Sequence, residues 1–236
     1  MQPAYKICIS LGADWRTQWV VHAAETDLME LRIDLMFQHG ETTVQMTEAI
    51  APLLHKYSHK IVLTCRPGAI PQEVRHDLFL ALLSPAPPAY IDLEYDTPHC
   101  FSAPLYNAVQ RYATQIIASY HNFNTTPHTP QLCAVADTAL LQGAHLVKIV
   151  TLCQNSKDEE RLLSLYSIPR FANRIIAFSL GEHALSSRLH AAASGAPILY
   201  VAPDNGALTA LGQPRFSQFT QRLSDFFDNH HLCALK

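Results

Sequence analysis

Eight short runs of nearly continuous apolar residues punctuate the chain, at positions 6–11, 28–34, 60–65, 90–94, 115–120, 146–150, 175–179 and 198–201. Runs of this length without polar alternation are what parallel strands look like when both faces are covered. Between them stand segments of helical spacing. Leu132, Val135, Ala136, Ala139 and Leu140 mark one stripe, and Phe216, Phe219, Leu223, Phe226 and Phe227 mark the last. Eight strand–helix units in 236 residues predict an α/β fold of the (β/α)8 TIM-barrel type, slightly under the usual ~250 residues, with 1–236 as a single domain. An open doubly wound sheet has the same alternation, but no G-x-G-x-x-G follows any run, so a dinucleotide site has no support. Ser84-Pro85-Ala86-Pro87-Pro88 stiffens the entry to the fourth run, and Pro203-Asp204-Asn205-Gly206 opens a long loop after the eighth.

Polar residues interrupt this pattern at particular places. Lys148 stands in the middle of His145-Leu146-Val147-Lys148-Ile149-Val150. Burying an unpartnered ammonium costs several kcal/mol, and sites that do so hold the group as a neutral amine, the form a Schiff-base nucleophile requires. The plainer reading is an edge-strand lysine facing water. Its company favours chemistry. Glu30, Arg32 and Asp34 alternate along the second run, Thr64-Cys65-Arg66 ends the third, Asp92 and Glu94 alternate in the fourth, and Ser119-Tyr120-His121 closes the fifth. Active sites of this fold lie at the C-terminal ends of the strands, so these groups are expected to form one set.

Composition narrows the function classes. The net charge of −3, with 16% charged residues and thirteen scattered histidines, leaves no basic face for nucleic acid or an anionic membrane. The six cysteines are widely spaced without a C-x-x-C pair, which points to a reducing compartment and no structural zinc. No apolar run approaches the ~18 residues of a membrane span, so a soluble, cytoplasmic protein is expected. Glu30, Asp92, Glu94 and His121 could supply metal ligands, but the neighbouring lysine and arginines oppose a dication, and no metal is expected. The chemistry that suits the set is condensation of an amine with a ketone, followed by removal of the adjacent proton by an imidazole on the next strand. Arginines at the mouth would grip a carboxylate or phosphate of a small-molecule substrate.

Five segments, in order along the chain, resemble the type I 3-dehydroquinate dehydratase family of the shikimate pathway. Glu30-Leu31-Arg32-Ile33-Asp34 resembles its E-x-R-x-D strand and Thr64-Cys65-Arg66 its T-x-R. The stretch from Ser119 through His121 and Phe123 to Thr126-Pro127 is similar to S-x-H-x-F-x-x-T-P. Lys148 falls where the family has its Schiff-base lysine, and Ser179-Leu180-Gly181 with Ser187-Arg188 is similar to S-M-G…S-R. The resemblance implies a hydro-lyase without cofactors, in which Lys148 and His121 are catalytic and Glu30, Arg32, Arg66, Arg188 and Gln213 bind substrate. It also implies a homodimer. Three positions depart from the family. Ala196 follows Gly195 where a serine of the substrate loop is expected, Ile70 stands where many members have an acid, with Glu73 as an alternative source, and the lid reads Leu211-Gly212-Gln213-Pro214. Another Schiff-base barrel such as an aldolase, or a ligand-binding barrel without turnover, are the alternatives. Replacing Lys148 by alanine is expected to leave only a small cavity and an intact fold.

Overall fold

The computed structural model describes residues 5–68, 70–83 and 86–233, the last four by their backbone alone. Ser84 and Pro85 of the proline-rich entry to the fourth strand lie outside the described residues. Eight strands form, β1 Lys6–Leu11, β2 Leu28–Arg32, β3 Ile61–Thr64, β4 Tyr90–Glu94, β5 Gln115–Asn122, β6 Leu146–Leu152, β7 Ile175–Leu180 and β8 Ile198–Val201. They make one parallel sheet in the order β7-β6-β5-β4-β3-β2-β1-β8, a nearly closed TIM barrel. Helices α1 Trp15–His22, α2 Ile33–Gln38, α3 Thr43–Tyr57, α4 Gln72–Leu83, α5 His99–Val109, α6 Thr129–Leu141, α7 Ser156–Leu163, α8 Ala184–Ala193 and α9 Phe216–Cys233 alternate with them. The expected runs match the strands to within two residues at their ends, and two of the differences bear on site residues. Asp34 is not the last residue of β2 but lies in the first turn of α2, while β5 runs on to Asn122 and so carries His121 within the sheet.

Strand periodicity decides what faces the barrel interior. In β6 the even positions Leu146 and Val150 pack with Cys8, Leu28, Val62, Tyr90 and Ile176 inside the ring, whereas Val147 and Ile149 pack outward with Leu132, Ala136 and Ala139 of α6. Each fully buried aliphatic side chain of that outer layer contributes roughly 1.5–3 kcal/mol. Lys148 shares the parity of Leu146 and Val150, sits between β5 and β7, and is only 2% exposed. An edge-strand lysine in water is therefore ruled out. The same parity turns Glu30, Thr64, Asp92 and Ser119 inward, so an apolar lower layer of the barrel interior is capped by a polar layer nearer the C-terminal ends.

Among the described residues no ladder joins β7 to β8, and side chains close that seam instead. The Phe178 and Tyr200 rings meet across it at 6.1 Å. Arg188 of α8 reaches between them, donating from Nη1 to the Ser179 carbonyl on β7 (3.1 Å) and from Nε to the Tyr200 carbonyl on β8 (2.8 Å). Two carbonyls that a sheet would have paired are thus satisfied by one guanidinium. Beyond β8, the segment to Arg215 folds back over the mouth. Leu211 offers its carbonyl to the Gly181 amide (3.1 Å), and Gly212, at φ +69°, lies so close to Gly181 that a Cβ would collide with its carbonyl.

Candidate active site

A cavity of about 60 Å³ at the C-terminal end of the barrel is lined by all seven expected site residues, Glu30, Arg32, Arg66, His121, Lys148, Arg188 and Gln213. A larger hollow of about 720 Å³ lies between α5 and α6, lined by neutral groups and two histidines, away from the lysine. The small cavity is the one where charged groups converge, and it is the candidate site.

Lys148 is not isolated in an apolar pocket, as its sequence surroundings suggested. Its Nζ contacts the Asp92 carboxylate directly, lies 3.7 Å from Glu30 Oε1, and sits 4.5 Å from the centre of the Tyr200 ring. The run around it is apolar because the helix-facing residues and the lower layer are, and the ammonium's partners come from β2 and β4 across the ring. Asp92 in turn accepts from the Ser119 hydroxyl, and Glu30 accepts from Thr64 Oγ1 at 2.7 Å. Burial alone would raise the Glu30 carboxyl, but the charges of Lys148 and Arg32, with hydrogen bonds from Ser10 and Thr64, hold it down at about 2.

His121 reaches the cavity from β5. Its Nδ1 lies 3.0 and 3.1 Å from the two oxygens of Glu94, and its Nε2 is 2.8 Å from Arg66 Nη2. Burial, then the positive charges of Arg66 and Lys148, press the imidazole well below its ordinary 6.5, so it is a neutral base near neutral pH. Glu94 is raised, chiefly by burial, with Arg66 opposing.

The arginines differ in their company. Arg32 forms a fork with Asp34 (Nε to Oδ1 3.0 Å, Nη2 to Oδ2 2.6 Å) and spends Nη1 on the Thr209 carbonyl at 3.3 Å. Arg188 is 1% exposed and has carbonyls rather than a carboxylate. Besides the two at the seam it donates to Ala184 at 2.7 Å, and its guanidinium lies 3.9 Å from the Phe178 ring centre. Burial lowers it to about 9. Its Nη2 has no protein acceptor among the described residues, which leaves a buried cation open to an anion. Gln213 is held by Thr209, whose amide and hydroxyl both donate to Oε1 (3.2 and 2.9 Å).

The departures from the family pattern fall differently from what the sequence suggested. Ala196 precedes β8 at the opposite end of the barrel and packs in the core, so it is not a lost donor of the substrate loop. The hydroxyl that does line the cavity on the loop after β8 is Thr209. Ile70 is buried in the core and Glu73 is exposed on α4, so Glu73 does not stand in for the acid missing at position 70. The acid in contact with His121 is Glu94 of β4. Asp92 and Glu94 were visible as alternating acids in the fourth run; Thr209, four residues before Gln213, carried no signal of its own. Among the described residues no group of three or more His, Cys, Asp or Glu is placed to hold a metal ion, and no helix is long and apolar enough to cross a membrane.

Residues 7–229 match the family model of type I 3-dehydroquinase. The chain belongs to the type I 3-dehydroquinase family. The 3-dehydroquinate dehydratase of Pyrococcus abyssi is 31% identical over 193 residues, covering 79% of this chain and 82% of that protein. That of Desulfotalea psychrophila is 28% identical, covering 90% and 94%. Among solved structures, the 3-dehydroquinate dehydratase of Geobacillus kaustophilus superposes with a TM-score of 0.83 at 19% identity, covering 95% of this chain and 91% of the other. The type I enzyme of Clostridium difficile, described with covalently modified comenic acid, gives 0.78 at 24% identity, covering 95% and 93%. A dehydroquinase of this family is thus what the barrel, the inward lysine and the neighbouring imidazole belong to.

Proposed function

We propose that the chain dehydrates 3-dehydroquinate to 3-dehydroshikimate through an imine on Lys148, a hydro-lyase step of aromatic amino-acid biosynthesis by the shikimate pathway. The observation that carries this reading is the inward amine of β6 lining the same cavity as a neutral imidazole on β5, within a chain matched to the family over residues 7–229. The ammonium gives up a proton along its contact with Asp92, and the free amine attacks the C3 ketone; loss of water leaves an iminium. His121 then takes a proton from C2, the bonding electrons moving into the iminium to give an enamine. Those electrons return to expel the C1 hydroxyl, which leaves as water with the proton that His121 delivers. Water finally hydrolyses the conjugated imine, releasing the enone and restoring the amine. No external cofactor takes part in this sequence.

The remaining groups hold the ring. Arg188 receives the substrate carboxylate on Nη2, while Glu30, Arg32 and Arg66 address its hydroxyls, and Thr209 and Gln213 close over it from the loop after β8. A cavity of about 60 Å³ is too small for a six-membered ring with its substituents, so this loop opens to admit substrate. The same reading takes residues 1–236 as one catalytic unit, cytoplasmic and homodimeric as the family likeness implies; light scattering that finds a monomer would reject the dimer.

Borohydride added with 3-dehydroquinate is expected to fix an adduct on Lys148, located by mass spectrometry, while ultraviolet absorbance of the enone grows without added metal or nucleotide. Folded protein that gives neither signal defeats the proposal. An adduct without enone would make the chain a binder that stops at the imine.

A further inference from the structure

The loop that folds over the mouth is anchored at its leading end by contacts that depend on the spacing of its first residues. Arg215 donates from a single nitrogen, Nη1, to the carbonyls of Pro203 (2.7 Å) and Gly206 (3.0 Å). Asp14, at the start of α1, accepts from the Ala207 amide at 3.3 Å, and Asp204 accepts from the amide and hydroxyl of Ser217 in α9 (2.8 and 2.5 Å). Gly206 is buried against this frame. A Cβ there would lie 2.4 Å from Pro203 Cγ and 2.9 Å from Asp14 Oδ2, which confines the position to glycine. Asn205, just before it, is exposed. Neither its carboxamide nor the Gly206 amide nitrogen has a hydrogen-bond partner among the described residues. Asn205 is also the one asparagine of the chain that is followed by glycine.

We propose that Asn205-Gly206 is a site of spontaneous covalent modification, and that its isoaspartyl product releases the leading end of the mouth loop. The Gly206 amide nitrogen bonds to Asn205 Cγ as the carboxamide C–N bond breaks, and the displaced amino group leaves with the amide proton as ammonia. A succinimide remains. Water opens it at either carbonyl, giving aspartate or an isoaspartate in which the main chain runs through the former side chain. Glycine favours the ring closure because nothing on its Cα blocks the approach, and here no hydrogen bond has to break at either reacting group. The isoaspartyl link adds one atom to the main chain between residues 205 and 206. The Pro203 and Gly206 carbonyls then no longer converge on one Arg215 nitrogen. The far end of the loop is pinned separately, Ala202 donating to the Pro214 carbonyl (2.8 Å) and Phe216 to that of Ala202 (2.9 Å), so the change frees the leading end alone. Thr209 and Gln213, which line the cavity, stand between the two ends. The modification needs only water and proceeds whether or not the imine reaction does.

Folded protein held at mildly alkaline pH and mapped by mass spectrometry tests the proposal. Asn205 is expected to convert well ahead of Asn124 and Asn173, which are exposed but not followed by glycine, with isoaspartate told from aspartate by electron-transfer fragmentation. Peptides spanning 203–215 should then exchange their amides faster in the converted protein than in the fresh one. Asn205→Gln, which closes the ring far less readily, should stay unchanged over the same incubation. Asn205→Asp, measured fresh, carries the charge without the extra atom and should exchange like wild type. KM for 3-dehydroquinate is expected to rise about tenfold in the converted protein, the scale of a lost hydrogen bond, with kcat altered less. Conversion of Asn205 no faster than that of Asn124 overturns the proposal. So does unchanged exchange in converted protein, or an Asn205→Asp chain that reproduces the whole loosening. Absence of turnover in fresh protein rejects the imine reading and leaves the mass and exchange readouts to decide this one.

Discussion

The two halves of the barrel mouth are built on opposite principles. From β2 to β6 the mouth carries a linked set of charges and hydrogen bonds, with Lys148 between Asp92 and Glu30, Arg32 on Asp34, and His121 between Glu94 and Arg66. Across the ring, β7 and β8 offer Phe178, Leu180 and Tyr200, and a single cation, Arg188, tied to carbonyls and lowered by burial to about 9. The first half has its lysine and Arg32 paired with carboxylates before any ligand arrives and is suited to passing protons. The second is left one negative charge short and is suited to receiving an anion. On the proposed reading, proton transfer and the grip on the substrate carboxylate lie on opposite sides of one pocket.

That separation can be broken most severely at Lys148. Lys148→Ala is expected to abolish turnover and the borohydride adduct. The structure also corrects the expectation that only a small cavity would follow, because Asp92 and Glu30 would face each other without their cation. Removing one partner of a buried pair costs about 3–5 kcal/mol, so the thermal midpoint should drop clearly. Adding Asp92→Asn should recover part of that stability and none of the activity. A midpoint unchanged in Lys148→Ala would mean that the carboxylates are not charged against the amine.

His121→Ala and Arg188→Lys sharpen the comparison. The first should still trap an imine while kcat falls by about 10²- to 10⁴-fold, the range of a lost acid–base group. The second keeps the charge but loses the fork, and should raise KM by about a hundredfold with a smaller effect on kcat, in line with the ~2–3 kcal/mol of a charged hydrogen bond. Steady-state kinetics on both variants checks this. Should the two substitutions act on the same parameter, the halves do not have separate duties.

The mildest test is acid. Glu30 is lowered to about 2 from 4.5, so its contribution to stability is fully present above the unfolded value and is lost as pH falls through the folded one. Unfolding midpoints followed by circular dichroism should decline between about 4.5 and 2 in the wild type and more shallowly in Glu30→Gln.

How far the sequence was legible follows from what each feature depends on. Strand positions could be read because parallel strands covered on both faces must be apolar, and β1, β4 and β8 fall where the runs stand. Lys148 and His121 were legible because each breaks such a run or extends a signature. What could not be read was pairing across the ring. Nothing local to Lys148 shows that Asp92 lies opposite, since that depends on the registers of β4, β5 and β6 together. Nor does the distance from Gly195 to Ala196 reveal that position 196 lies at the far end of the barrel from the chemistry. Nor does anything at Ile70 or Glu73 show that the acid in contact with His121 comes from the fourth strand.

The seam between β7 and β8 has a mechanical consequence. A hoop whose last joint is fastened by a side chain is only as firm as that side chain's grip. An anion seated on Arg188 would pin the rivet in place, so occupancy should slow amide exchange along both neighbouring staves, well beyond the atoms the ligand touches.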